Sequence, residues 1–120
     1  MDGLTEAKRI ILDFGVFRLE ARLFDTPVAV AFAEKLPLCT ELTQWGNELY
    51  GPAGSDLGED NLVEDVPPGS IAYTNRGNLV CIFFGQKPAW PVDWIGQIED
   101  EQWRRLLGQE PKNSLAIRTA

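Results

Sequence analysis

The chain of 120 residues contains no histidine, and that absence excludes more chemistry than any residue present suggests. Hydrolysis by a serine or cysteine nucleophile with a histidine base, zinc held by imidazole, and histidine proton shuttles all need the missing side chain. Any reaction must run on Asp, Glu, Lys, Tyr or Arg, or the chain works by binding alone. Basic residues are also scarce: 11 Lys and Arg stand against 18 Asp and Glu, a net charge of −7 that opposes contact with a phosphate backbone. No nucleic-acid partner is expected. Long apolar runs are missing too, since nothing approaches the roughly 20 residues that a membrane helix needs. The N-terminal MDGLTEAKR is polar and mixed in charge, unlike a signal peptide. A cytoplasmic location without membrane association is therefore expected. Cys39 and Cys81 form no CxxC pair and are expected to be reduced and partly buried, with a single disulfide between them as the other reading.

Two motifs fail on inspection. GPAGSDLGED carries Gly51, Gly54 and Gly58, but no lysine follows its glycines and no buried parallel strand precedes it, so it is no phosphate loop. The acidic run Asp56, Glu59, Asp60, Glu64 and Asp65 fits no D-x-D-x-D-G calcium loop and reads as a solvated face. Neither a cofactor nor a metal is expected.

What remains is patterned for strands. Ile10, Leu12 and Phe14 alternate with Arg9, Ile11 and Asp13, and Phe17, Leu19, Ala21 and Leu23 alternate with Arg18, Glu20 and Arg22. With Gly15 and Val16 between them, the two runs read as an antiparallel hairpin with one buried face. In DTPVAVAFAEKLP, Thr26 suits a helix cap, Pro27 the first helical position, and Pro37 the stop. Val28, Phe32 and Leu36 would share its buried face. LCTELTQW is a third extended segment, broken at Gly46 and resumed as NELY. A long acidic, Gly- and Pro-rich loop then runs from Gly51 to Gly69.

SIAYTN and LVCIFF follow as two strands joined by a tight turn at Arg76, Gly77 and Asn78, and they should form the centre of the sheet. Leu79 to Phe83 is apolar throughout, as expected of a strand with the core on one side and a covering helix on the other. Phe84 to Pro88 is a candidate pocket rim. Trp90, set before a proline, should be extended and lie toward solvent or in a lid. WIGQI is another strand. DEQWRRLLG reads as a short helix with Trp103, Leu106 and Leu107 on one face and Gly108 as its stop, and NSLAIRT as the last strand. One β-rich domain over 1–120 is expected, its barrel openings covered by one early α-helix and one short late helix.

Several of these segments resemble cyclophilins. GVFRLEARLFDTPVAVAFAEKL is similar to their second strand and first helix, and GSIAYTNRG to their GxLSMANxG segment. Phe83 and Phe84 match the FF of their SQFF strand, and WIGQI their FGKV strand. WGNELYG, GSIAYTN and LVCIFFGQKP also resemble, in order, the WGxEIYF, GDIAYW and ALCIFFGxTP blocks of small bacterial and archaeal cyclophilin-like proteins of unknown function. The resemblance implies a closed cyclophilin-like β-barrel. It also raises prolyl isomerisation, which must lower an imide rotation barrier of about 18 to 20 kcal/mol. Cyclophilins use an arginine on the strand after the first helix and a glutamine before the FF pair. Here that strand has no arginine, and Ile82 occupies the place of the glutamine.

The expected site is a cleft walled by Trp45, Tyr50, Tyr73, Phe84 and Trp90, with Glu48 and Asn75 as polar contacts. The bland alternative makes Trp45, Tyr73 and Phe84 core filler and leaves Glu48 solvated. Lys87 is expected to be exposed. Three functions follow: binding of a small molecule or peptide segment without isomerase catalysis, weak peptidyl-prolyl isomerisation using Arg76 or a backbone donor, and protein association without a ligand.

Overall fold

The structure, a computed structural model, describes residues 8–120, so the N-terminal segment read above as lacking a signal peptide lies outside the described residues up to Ala7. Ten strands form one sheet: β1 Lys8–Asp13, β2 Arg18–Leu23, β3 Leu38–Glu41, β4 Thr43–Trp45, β5 Glu48–Pro52, β6 Leu62–Val63, β7 Ser70–Thr74, β8 Leu79–Phe83, β9 Val92–Ile98 and β10 Ser114–Thr119. The neighbour order is β3-β10-β1-β2-β9-β7-β8-β5-β4, and β6 adds to β9.

The hairpin β1–β2 forms in the register that the alternation demands, with Ile10 opposite Ala21 and Leu12 opposite Leu19. Ile10, Leu12, Phe14, Phe17, Leu19, Ala21 and Leu23 face the core, Ile11 lies half-buried on the other side, and Phe14 and Phe17 stack across the turn with centroids 4.9 Å apart. β3 and β4 are two halves of one extended segment bent at Leu42. The first half pairs with β10 and the second with β5, so the two ends of the sheet meet in a nearly closed barrel. Across the seam Thr40 Oγ1 donates to the Pro52 carbonyl at 2.8 Å. Gly51 permits this approach, because a Cβ there would overlap the Glu41 carbonyl oxygen.

Helix α1, Pro27–Ala33, starts at the expected cap, where Thr26 Oγ1 accepts from the Ala29 amide. Val28, Ala29 and Phe32 enter the core, and Leu36, beyond the helix end, packs against it. The late helix differs from expectation. Glu99–Leu107 is a 3-10 helix interrupted by positive φ at Asp100 and Glu101. With three residues per turn, Trp103 and Leu106 share a face and Leu107 steps off it. Leu106 is buried whereas Leu107 is exposed, and Gly108 ends the segment with extended rather than left-handed backbone. Among the described residues no helix is long and apolar enough to cross a membrane.

The long loop is shorter and better anchored than its composition suggests. Gly51 and Pro52 complete β5, and Leu62 and Val63 pair with β9. Two buried polar side chains hold its middle. The Tyr73 hydroxyl accepts from the Leu57 amide at 2.9 Å and lies 2.9 Å from Asn78 Oδ1, while the Asp93 carboxylate accepts from the Asn61 amide at 2.9 Å. The acidic residues Asp56, Glu59, Asp60, Glu64 and Asp65 point to solvent.

Candidate functional site

The centre of the sheet is apolar on both faces, and strand parity decides which residues belong to which. Val80, Ile82 and Phe84 face the barrel interior with Ile71 and Tyr73. Cys81 and Phe83 face outward, where they join Ala72, Val66 and Val92 in a second cluster flanked by Tyr50, Leu79 and Trp90. Among the described residues no helix packs on this outer face of β8, contrary to the expectation for Leu79–Phe83. It opens instead into a cleft of about 350 Å³.

The register builds its floor. Glu48 pairs with Phe83 and Tyr50 with Cys81, so the outward side chains of β5 and β8 lie side by side. Trp45 pairs with Glu48 across the β4–β5 turn, which puts its indole on the same face. Trp45, Glu48 and Tyr50 form one wall, Leu79, Cys81 and Phe83 the base, and Pro88, Ala89 and Trp90 the opposite wall. Trp90 is fixed from behind: its Nε1 donates to Thr74 Oγ1 at 2.9 Å. The Arg76 guanidinium carbon sits 4.7 Å from the Trp90 ring centroid, while Arg76 itself stays off the cleft wall.

Glu48 sets the electrostatics. It is only 7% exposed, and burial raises its carboxyl above the ordinary glutamate range. Hydrogen bonds from the Cys81 thiol and the Gln86 side-chain amide oppose that shift in part. Burial, with the Glu48 charge as a second cause, pushes the Cys81 thiol far up, so it stays protonated and unreactive. Gln86 is held in place through its other end, where Oε1 accepts from the Asn47 amide at 2.7 Å. Gly46, at φ +62°, leaves the room this needs, because a Cβ there would overlap Gln86 Oε1.

Of the residues expected around a cleft, Trp45, Glu48, Tyr50 and Trp90 are brought together. Tyr73 and Phe84 are not: both have the interior parity of their strands and are sealed in the core at 0% and 1% exposure. Asn75 and Arg76 are exposed on the β7–β8 turn, and neither lines the cleft. Ile82, at the place of the cyclophilin glutamine, points into the barrel. Lys87 is exposed. Cys39 is exposed and Cys81 buried, both free, in place of two partly buried thiols. Of the expected rim Phe84–Pro88, Pro88 lines the cleft and Gln86 reaches Glu48, whereas Phe84 is core. Sequence reasoning missed Cys81 and Phe83 as cleft residues. The parity of Glu48 and Tyr50 could have found both once the β5–β8 register was known, whereas nothing in sequence ties Gln86 to Asn47. Among the described residues no three His, Cys, Asp or Glu side chains converge as a metal site would require.

Comparison with known proteins agrees with this architecture. No curated protein matches the chain. A hypothetical protein from Archaeoglobus fulgidus, whose structure was determined in solution, superimposes with a TM-score of 0.78 at 27% identity, covering 99% of this chain and 98% of the other. The family model described as cyclophilin-like matches residues 8–118. Match and barrel together assign the chain: it belongs to the cyclophilin-like family.

Proposed function

We propose that the protein is a binding module that holds a small molecule or a peptide segment in the outer cleft, without prolyl isomerase catalysis. The observation that carries this reading is the buried Glu48 carboxyl in the lining of a cleft flanked by Trp45 and Trp90. Sites that hold ligands are concave and mostly apolar, with a few placed polar groups. An exposed indole at 54% accessibility beside a buried acid fits that description better than it fits a packed core. The lining includes no arginine, so a twisted imide would find no charged donor there.

Two measurements test the reading. A fragment screen by thermal shift should yield compounds that stabilise the fold, by about 2.7 kcal/mol at a hundred times Kd. Those compounds should move the indole N–H resonances of Trp45 and Trp90. If every stabilising compound instead moves resonances elsewhere, the cleft is not the binding site. A prolyl isomerisation assay on a proline-containing tetrapeptide should show no acceleration, and acceleration abolished by Arg76→Ala would overturn the non-catalytic part.

A further inference from the structure

A buried carboxylate is costly unless a cation or several strong donors face it. Glu48 has neither in full. The groups acting on it are one thiol, a weak donor, and one amide, with no lysine or arginine among them. None of the four ion pairs among the described residues includes it. An ionised carboxylate offers about four acceptor positions, so this arrangement leaves acceptor capacity on a side chain that lines the cleft.

The walls supply the complementary half. Trp45, Tyr50, Phe83 and Trp90 present aromatic rings around the same space. Aromatic faces attract cations, tryptophan most strongly, and a carboxylate among such rings adds a direct charge partner. Trp90 already engages one cation in this way, the Arg76 guanidinium. The net charge of −7 raises the local concentration of cations and repels anions.

We infer that the cleft recognises an organic cation, an alkylated ammonium group seated against the Glu48 carboxylate and enclosed by the Trp45 and Trp90 rings. This rests on the cleft being a binding site. A cleft of about 350 Å³ is larger than a single ammonium head, so the cation is the anchoring end of a longer molecule whose remainder lies over Leu79 and Phe83.

Three probes of one shape separate the terms: choline, its uncharged carbon analogue 3,3-dimethylbutan-1-ol, and the anionic 3,3-dimethylbutanoate. Each is titrated into the whole protein and followed by the Trp45 and Trp90 indole N–H resonances. Choline should bind saturably and about tenfold or more tighter than the alcohol, and the carboxylate should not bind. Glu48→Gln, which keeps the shape and removes the charge, should bring choline down to the affinity of the alcohol. Trp45→Ala, at an exposed position, should weaken choline without unfolding the protein. Equal or tighter binding of the alcohol or the carboxylate in the cleft overturns the cation inference while the binding-site reading stands. If choline moves neither indole, the inference also falls, and the fragment screen alone decides whether the cleft binds anything.

Discussion

Two faces of one strand do different work in this protein. On one side of β8, Val80, Ile82 and Phe84 meet a core supplied by the other strands and both helices. On the other side, Leu79, Cys81 and Phe83 are equally apolar but meet a cleft, closed at its edges by the Trp45 hairpin and the Trp90 loop. Hydrophobicity is the same on both. What differs is whether enough chain lies opposite to fill the space, so the interior face is closed core and the outer one an open cleft.

The sharpest way to break that comparison is to remove volume from the interior. Ile82→Ala should cost about 2 to 5 kcal/mol in denaturant unfolding, because the closed core cannot collapse fully onto the void. The barrel seam comes next. Gly51→Ala forces a methyl group into the Glu41 carbonyl, and backbone on both sides must move, so a loss of about 1 to 3 kcal/mol is expected, measured by chemical denaturation.

On the outer face the sign reverses. Glu48 is held above its usual range by burial, so the native state keeps a proton that the unfolded chain releases. Stability therefore falls as pH rises from the ordinary glutamate value through the raised one. Glu48→Gln should raise Tm at neutral pH, and the gap from the parent should narrow as the pH is lowered toward about 4. Calorimetry across that range reads the effect directly, and a lower Tm for the variant at neutral pH would show that the carboxylate is better compensated than its partners suggest. The smallest change should come from Trp45→Ala, within about 0.5 kcal/mol on unfolding, since its ring is more exposed than buried. A large loss there would make the outer face a second core.

Much of the barrel was legible in the sequence because burial there is one-sided. The β1–β2 hairpin alternates cleanly, so period two marks both its strands and their inward face. Thr26 and Pro27 announce the start of α1. The 3-10 character of Glu99–Leu107 was not legible, because residues three and four apart are both apolar and the break at Asp100 and Glu101 leaves no local mark. The site was legible in part. Trp45, Glu48 and Tyr50 stand out by type and spacing, but LVCIFF carries no polar residue to show which side is which. Phe84 was therefore exchanged for Phe83, and Tyr73, which anchors the long loop from inside, was assigned to the cleft.

By itself the sequence determined the elements, their order and the family resemblance, since these depend on local periodicity, turn chemistry and short blocks of residues. Without histidine it also excluded the reactions and metal sites that need an imidazole. Only the tertiary structure decided which apolar residues are core and which are cleft, because that depends on cross-strand register and on what lies opposite. It alone buried the Glu48 carboxyl in the cleft wall, where no lysine or arginine among the described residues pairs with it. Both outcomes come from contacts between residues far apart in the chain, such as Glu48 with Phe83 and Asn47 with Gln86, and no local pattern encodes them.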